Sequence, residues 1–244
     1  MTQLPHPTLE VCPSPALLHL HDISESLVVI IDVLRATSTI ATALYNGARE
    51  VIPVASVPEC IRIGEELGAV TAGERDGIIA EGLQHGNSPF EYPRDFIQGR
   101  TLVLTTTNGT RLLHLASAAP EIITGSFVNL DAVAGYLKGQ PRPVLLACAA
   151  WKDRVNLEDM LFAGAVISRV RDSFAVTGDA ALIADQLYDR AKDDLVGGLA
   201  GATHFKRLSR HGLQKDIRYC MTPNLAPVLP LLTGGSLVDA ATLG

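Results

Sequence analysis

The sequence predicts an α/β fold with three layers, α/β/α, built on a sheet that is mostly parallel or mixed. Short apolar runs rich in β-branched residues alternate with helical patterns of about ten residues, as βαβ units require. Gly47 and Gly68 follow two of these helical patterns, where a left-handed residue commonly ends a helix. Several apolar runs end in acidic or hydroxyl side chains, and open α/β sheets bind ligands at the carboxyl ends of their strands.

The strand and helix patterns predict a specific set of secondary-structure elements. Apolar runs bounded by turn residues predict strands at 27–32, 50–54, 69–72, 101–105, 121–124 and 143–148. Helical spacing predicts helices at 37–45, 58–67, 110–118, 130–137, 157–171 and 180–192. Beyond residue 180 the pattern is mostly helical, with a polar stretch at 204–216. The prolines of segment 11–15 lack N–H donors, so we predict that this segment is not a central strand.

Length and charge limit the class of protein. The 244 residues fit a single compact domain over 1–244, or two lobes that meet near 138–143, where glycine and proline cluster. The formal net charge is −6 and no basic block occurs, which argues against nucleic acid as the main partner. A small anion remains compatible, because a local pocket can be basic. The fairly apolar composition would also allow a homo-oligomer, with no subunit number indicated.

The sequence also predicts a cytoplasmic protein without a membrane partner. No apolar run approaches the ~20 residues that a membrane-spanning helix needs, and no signal-peptide pattern is recognised. Cys12, Cys60, Cys148 and Cys220 form no CxxC pair. This disfavours a zinc site or a disulfide framework and fits a reducing compartment.

Asp32, at the end of the most apolar strand pattern, is the first candidate site residue. Arg35, Thr37 and Ser38 follow where a helical pattern begins, and their hydroxyls and backbone N–H groups could hold an anion. Asp32 is interpreted as a magnesium ligand or a nucleophile toward phosphorus; a helix N-cap or a partner for Arg35 is the plain alternative. Arg35 could clamp a phosphate or sulfonate or form a surface ion pair. The aspartyl-phosphatase pattern DxDx[TV] needs an acid at Leu34, so the ligand role is favoured.

Two glycine-rich segments follow, at 73–77 and 86–89. Glu74 is a candidate metal ligand and Arg75 a candidate anion contact, and Asn87 and Ser88 are candidate substrate contacts. Glycines let a backbone approach a ligand closely. The alternative is a pair of ordinary surface turns.

The run TTTNGT at 105–110 is the third candidate. It follows an apolar strand pattern and leads into a helical one, so its hydroxyls and the first helical N–H groups would face the crevice at the strand ends. Thr106, Thr107, Asn108 and Gly109 would then cradle a phosphate. The run is not a P-loop, because the GxxxxGK[ST] pattern is missing. A capped helix start explains it equally well.

Two acids begin a later helical pattern. Glu158 and Asp159 are the ligand type that Mg²⁺ prefers, although the helix dipole also favours acids there. Neighbours in a helix point about 100° apart, so one of the two is expected to reach the site. Cys148, at a strand end, is interpreted as a buried structural thiol rather than a nucleophile.

A polar cluster lies further along the chain, at His211, Lys215, Asp216 and Tyr219. It could close over a ligand or simply end a solvated helix. The patterns HExxH, GxSxG and GxGxxG do not occur, so zinc, serine-nucleophile and dinucleotide sites lack support.

Taken together and in this order, the motifs resemble the 2-phosphosulfolactate phosphatase family, ComB. The matching segments are IDVLRATST, AGERDG, GNSP, TTTNGT, GSFVN and LED. The resemblance runs from about Val29 to Asp159 and continues more weakly to Cys220. It implies a Mg²⁺-dependent α/β phosphatase that hydrolyses 2-phospho-3-sulfolactate to 3-sulfolactate and phosphate. In some archaea this step belongs to coenzyme M biosynthesis.

The resemblance also implies which residues surround the active site: Asp32, Arg35, Glu74, Arg75, Asn87, Ser88, Thr106, Thr107, Asn108, Glu158 and Asp159. We assign catalytic roles to Asp32, Arg35, Glu74 and Asn108. Substrate binding is assigned to Arg35, Thr37, Ser38, Arg75, Asn87, Ser88, Thr106, Thr107, Asn108 and Gly109. Mg²⁺ is expected to bind through one or two carboxylates from Asp32, Glu74, Glu158 and Asp159.

Two further classes of function stay open. A non-catalytic binding protein or metabolite sensor on the same fold would bind a small phosphorylated or sulfonated organic acid without turnover. An α/β oxidoreductase is disfavoured, because the glycine fingerprint of a dinucleotide site is missing.

Overall fold

The structure is a computed structural model and describes residues 6–75 and 78–243. Its strands are β1 (Thr8–Cys12), β2 (Leu27–Ile31), β3 (Glu50–Pro53), β4 (Val70–Arg75), β5 (Ile78–Ile79), β6 (Thr101–Thr105), β7 (Glu121–Gly125), β8 (Val144–Cys148), β9 (Ala175–Val176), β10 (Pro230–Thr233) and β11 (Ser236–Asp239). Its helices are α1 (Ala36–Tyr45), α2 (Val57–Leu67), α3 (Arg94–Ile97), α4 (Gly109–Leu115), α5 (Leu130–Lys138), α6 (Leu157–Val170), α7 (Asp179–Ala191), α8 (Thr203–Arg210) and α9 (Gln214–Cys220).

The described strands form one sheet with the order β5-β4-β6-β3-β11-β10-β7-β2-β8-β1-β9. Strands β4, β6 and β3 make one parallel block, and β7, β2, β8, β1 and β9 make a second. The antiparallel hairpin β10–β11 joins them, because β10 pairs with β7 and β11 pairs with β3. The predicted three-layer α/β/α fold with a mostly parallel or mixed sheet is confirmed.

Strand β2 shows why helices cover both faces of the larger block. Leu27, Val29 and Ile31 point into a core shared with α5, α6 and α7. Val28 and Ile30 point to the other face, into a core shared with α1 and α4. Because side chains alternate across a strand, a continuous apolar run is what a strand buried on both faces requires.

The predicted strands and helices are confirmed, and their bounds differ from the observed ones by at most three residues. The interpretation of 11–15 is confirmed only in part: Val11 and Cys12 are the last residues of β1 and pair with β8, whereas β9 pairs with the earlier residues Thr8 and Leu9. The proline constraint still operates, because β1 ends immediately before Pro13. Segment 138–143 connects α5 to β8 within the same sheet, and its role as a lobe boundary stays a prediction.

The mostly helical pattern expected beyond residue 180 is wrong near the end of the chain. Residues 230–239 form the hairpin β10–β11, in which Thr233 pairs with Ser236. Gly234 and Gly235 make the connecting turn with φ angles of 57° and 88°, values that glycine adopts without steric cost. Gly-Gly between apolar segments is a recognised hairpin signal, but the strands are too short for a strong periodicity.

The two parallel blocks turn their carboxyl ends toward one cleft. Strands β2 and β6 lie five positions apart in the sheet order. Nevertheless, a Cβ atom built on Gly109, after β6, would lie 2.9 Å from Asp32 Oδ2, after β2. The sheet must therefore coil strongly at the hairpin, and polar residues from both blocks meet there.

Among the helices of the described residues, none is long and apolar enough to cross a membrane.

We predict that replacing Leu237 in β11 destabilises the protein, because its side chain is 0% exposed within the core that α1 shares with the sheet. The change Leu237→Ala should lower the free energy of unfolding by about 2–5 kcal/mol, measured by urea denaturation. The control is Leu243→Ala, whose side chain is 55% exposed and should contribute less than about 0.5 kcal/mol. Equal effects of the two changes would contradict the placement of the hairpin in the core.

Candidate active site

A cleft lies at the carboxyl ends of β2, β4 and β6. Its walls come from the loops after these strands, from the loop after β8 and from helix α8. The lining residues are Asp32, Leu34, Arg35, Glu74, Asn87, Thr106, Thr107, Asn108, Trp151, His204, Arg207 and Leu208.

The turn from β2 into α1 fixes Asp32 at the cleft. The Asp32 N–H donates to Thr37 Oγ1 at 3.2 Å, and the Thr37 N–H donates to the Asp32 carbonyl at 3.0 Å. The Ser38 hydroxyl donates to the Val33 carbonyl at 2.8 Å. The hydroxyls of Thr37 and Ser38 are therefore engaged with the backbone of this turn, and neither residue lines the cleft.

The Asp32 carboxyl is 7% exposed and lies among other acids. Burial raises its pKa to about 6; the charges of Glu74 and Glu158 act in the same direction, and the nearby His204 acts in the opposite direction. Desolvation and nearby negative charge both disfavour an ionised carboxyl. A bound cation would supply the missing compensation for the Asp32 carboxyl.

Glu74 and Thr107 bring the ends of β4 and β6 together. Glu74 Oε1 accepts from the Thr107 hydroxyl at 3.1 Å and from its N–H at 3.4 Å. Arg75 points elsewhere: its guanidinium donates to the Glu74 carbonyl at 2.7 Å and to Thr105 Oγ1 at 3.2 Å. Glu74 thus lines the cleft, whereas Arg75 braces the wall behind it.

The run 105–110 forms the turn from β6 into α4. Thr106 and Thr110 lock this turn, because the Thr110 N–H donates to Thr106 Oγ1 at 3.2 Å and the Thr110 hydroxyl donates to the Thr106 carbonyl at 2.8 Å. Asn108 occupies the N-cap position, and its side chain makes no capping hydrogen bond there. Gly109 leaves room for Asp32. The predicted cradle residues therefore lie beside Asp32.

Asn87 and Ser88 differ in placement. Asn87 lines the cleft, and its Oδ1 atom is buried without a hydrogen-bond partner among the described residues. The Asn87 carbonyl accepts from Thr39 Oγ1 at 3.1 Å, which ties the loop to α1. Ser88 caps the short 3-10 turn Pro89–Glu91, with its hydroxyl accepting from the Phe90 N–H, and does not line the cleft.

Arg35 lies in the cleft as half of a buried ion pair. Its Nη1 atom is 2.5 Å from Asp216 Oδ2, and the two side chains are 6% and 9% exposed. Asp216 lies on α9 and belongs to the polar cluster predicted near the end of the chain. It is the residue of that cluster that contacts Arg35. In that cluster, Tyr219 contacts Thr42 Oγ1 at 3.2 Å, and Lys215 lies 4.7 Å from the centre of the Phe90 ring.

The two acids at the start of α6 have different partners. Asp159 accepts from the Val33 N–H at 3.0 Å and from the Ala150 N–H at 3.2 Å, one bond to each carboxyl oxygen. Burial and the nearby Glu158 and Asp32 charges raise its pKa well above the usual value. Glu158 Oε1 lies 2.5 Å from His204 Nδ1, and its Oε2 is buried without a partner within the described part of the chain. Neither acid lines the cleft.

The Cys148 thiol is structural. It is buried, lies 3.9 Å from the Met160 sulfur, and has a pKa raised well above its usual value by burial and by the nearby acids. A thiol that resists ionisation is a poor nucleophile.

Sequence reasoning missed Trp151, His204 and Arg207. Trp151 is the single tryptophan of the sequence and follows β8 by three residues, so strand-end placement could have indicated it. His204 and Arg207 lie on α8 and approach the cleft only because this helix packs across the strand ends. The polar stretch at 204–216 contained both but did not distinguish them.

The acidic side chains of the cleft are too few to surround a metal ion by themselves. Across residues 6–75 and 78–243, no three His, Cys, Asp or Glu side chains come together as a metal-binding group. Among the residues that the structure describes, Asp32 and Glu74 are the two carboxylates that line the cleft. Mg²⁺ commonly uses one or two carboxylates and keeps several waters, so this pair fits that ion.

A coiled α/β sheet with a charged cleft at its strand ends is the arrangement in which α/β proteins bind small polar ligands. The family model for 2-phosphosulpholactate phosphatase matches residues 12–235, and the chain belongs to that family. Membership makes it a phosphoric monoester hydrolase.

Relatives from bacteria cover most of the chain. A protein of Thermotoga petrophila is 42% identical over 210 residues, which span 86% of this chain and 90% of that protein. A protein of Caldanaerobacter subterraneus is 37% identical over 88% of this chain and 90% of its own length. One from Synechocystis is 37% identical over 87% and 91%. Each of the three is named a probable 2-phosphosulfolactate phosphatase.

We predict that Asp216→Ala strongly destabilises the protein, because it leaves the buried Arg35 guanidinium without its carboxylate. The free energy of unfolding should fall by about 3–5 kcal/mol in chemical denaturation. The control is Asp185→Ala, which breaks a pair with the half-exposed Arg171 and should cost about 0.5 kcal/mol or less. A loss below about 1 kcal/mol for Asp216→Ala would contradict a desolvated Arg35.

We predict that Gly109→Ala impairs phosphatase activity without unfolding the protein. The new Cβ would lie 2.9 Å from Asp32 Oδ2 and 3.0 Å from Ala36 Cβ, so the end of the Asp32 side chain must move. Misplacement of this size should lower kcat/KM about 10- to 100-fold, measured as phosphate release. Gly135→Ala is the control, because nothing lies within 4 Å of its added Cβ. Unchanged activity in Gly109→Ala would show that the position of Asp32 is unimportant.

Proposed function

We propose that this chain is a Mg²⁺-dependent phosphatase that hydrolyses 2-phospho-3-sulfolactate, or a closely related small phosphorylated acid, to the free hydroxy acid and phosphate. The observation that carries the proposal is the composition of the cleft. Two carboxylates, Asp32 and Glu74, share it with two guanidinium groups, Arg35 and Arg207. Such a site suits a polyanion that is bound together with a cation.

The names of the relatives support the substrate. Proteins that are 34–42% identical to this chain carry the name of a probable 2-phosphosulfolactate phosphatase. Their substrate has a phosphate, a carboxylate and a sulfonate on a three-carbon chain. The cleft is lined by charged and polar side chains, as a ligand of this charge requires.

Asp32 and Glu74 are the residues that would hold Mg²⁺. Asp32 is buried, and its carboxyl has a raised pKa, which a cation would reverse by favouring the ionised form. Bound Mg²⁺ neutralises charge on phosphoryl oxygens and orients a nucleophile. Glu158 and Asp159 lie behind the residues that line the cleft. Asp159 accepts hydrogen bonds from backbone N–H groups, and Glu158 contacts His204.

The chain's own groups would hold the phosphoryl oxygens. Asn108 lines the wall beside Asp32, and Arg35 lies within the same cleft, held in place by Asp216, whereas the Thr107 hydroxyl donates to Glu74. Donors fixed before the reaction stabilise charge that develops on phosphoryl oxygens without reorganisation. Because Gly109 has no side chain, Asp32 can approach this wall.

The test is phosphate release from phosphosulfolactate and a panel of small phosphorylated acids, with Mg²⁺ and with EDTA. We expect metal-dependent release that EDTA abolishes and that Asp32→Asn lowers by about 100-fold or more. Asp172→Asn makes the same chemical change at an exposed position and serves as the control. Full activity of Asp32→Asn at saturating Mg²⁺ would overturn the role of Asp32.

Two other outcomes would overturn the proposal itself. Release that persists in EDTA would remove Mg²⁺ from the reaction. No release from any compound, together with calorimetric binding of the same anions, would identify a non-catalytic binding protein or metabolite sensor.

A further inference from the structure

We infer that Arg207, supported by Trp151 and His204, forms a subsite for the non-reacting acidic group of the substrate, a sulfonate or a carboxylate. The inference rests on the proposed function, in which the phosphoryl group binds near Asp32 and Glu74. It makes Arg207 the residue that distinguishes phosphorylated acids from neutral phosphomonoesters.

The first support is the charge balance of the cleft. Arg35 and Arg207 both line it, but Arg35 already has a buried carboxylate partner in Asp216 at 2.5 Å. Arg207 forms no ion pair with any residue in 6–75 or 78–243; its contacts there are the His204 imidazole and the Trp151 ring. Its Nε atom is also buried without a hydrogen-bond partner in those ranges. A guanidinium that lines a cleft without a carboxylate partner is suited to bind an oxyanion there.

The second support is how rigidly the guanidinium is held. Arg207 Cζ lies 4.9 Å from the centre of the Trp151 ring, and Arg207 Nη2 lies 3.1 Å from His204 Nε2. Since arginine always donates, His204 Nε2 accepts, and the imidazole proton is placed on Nδ1, toward Glu158 Oε1 at 2.5 Å. The chain from Glu158 through His204 therefore fixes one edge of the guanidinium.

The third support is the Trp151 ring, which lies beneath the Arg207 guanidinium. Trp151 exchanges two backbone hydrogen bonds with Arg154, at 2.9 and 3.0 Å, and its ring stacks on His204 with 6.3 Å between centres and 11° between planes. A guanidinium stacked on an aromatic face keeps its remaining N–H groups in one plane, where they match the oxygens of a carboxylate or a sulfonate. Aromatic support also restricts the side chain before ligand binding.

The phosphoryl site and Arg207 lie in one cleft but come from different elements of the fold. Glu74 lies in β4, and Thr107 and Asn108 lie in the loop after β6, whereas Trp151 lies in the loop after β8 and Arg207 lies on α8. A substrate with anionic groups at both ends can contact both walls at once. The phosphoryl end then meets the carboxylate pair and its cation, and the second acid meets Arg207.

The experiment compares four phosphate esters of secondary alcohols, which carry both acids, the carboxylate alone, the sulfonate alone or neither: phosphosulfolactate, phospholactate, 1-sulfopropan-2-yl phosphate and isopropyl phosphate. For Arg207→Met, kcat/KM should fall about 100-fold on substrates with the acid that Arg207 holds, as expected for a lost charged contact. It should fall less than about three-fold on isopropyl phosphate. Loss that follows the sulfonate or the carboxylate identifies which acid binds. An equal loss on all four esters would overturn the subsite.

Controls separate this role from folding and from the proposed reaction. Arg210→Met makes the same change at an exposed position of α8 and should leave the selectivity unchanged. Arg207→Lys keeps the charge without the planar fork and should lose about ten-fold on the acidic esters. If the unaltered protein hydrolyses none of the esters, the phosphatase proposal fails. Calorimetry with 3-sulfolactate then decides the subsite: binding that Arg207→Met abolishes supports it, and no binding, or equal binding, overturns it.

Discussion

The Asp159 carboxylate connects the two loops on which the cleft depends. One oxygen accepts from Val33, in the turn after β2, and the other accepts from Ala150, in the loop after β8. A buried carboxylate with backbone donors on both oxygens has little freedom to move, so the two loops keep a fixed separation. Asp32 precedes one of these contacts by one residue, and Trp151 follows the other by one. Asp159, at the start of α6, thus helps to position Asp32 and Trp151 although it does not line the cleft itself.

The preceding residue, Glu158, extends this arrangement to a more distant part of the chain. Its contact with His204 brings α8 across the strand ends, and Arg35 does the same for α9 through Asp216. These two buried contacts therefore hold α8 and α9 against the strand ends. Apolar packing contributes as well, because Leu208 and Ile217 belong to the core shared with α6.

Features that depend on neighbouring residues could be predicted from the sequence, whereas contacts between distant residues could not. Strands and helices were predictable because their periodicity is written in consecutive residues, and strand-end placement led to Asp32, Glu74 and the run 105–110. The direction of a hydroxyl or a carboxylate is different. Thr37 and Asp159 have side chains that could contact a ligand, yet each accepts a hydrogen bond from a backbone N–H group instead. His204 lies 46 positions beyond its partner Glu158, and no local pattern carries that contact.

The position of the hairpin β10–β11 has a consequence for folding during synthesis. It fills the middle of the sheet, between β3 and β7, although its residues come near the end of the sequence. While a ribosome is still making them, the two parallel blocks each present an edge strand with unpaired backbone groups, and such edges invite pairing with other chains. The two edges are joined only after residues 230–239, which follow every other strand of the described sheet, have left the exit tunnel.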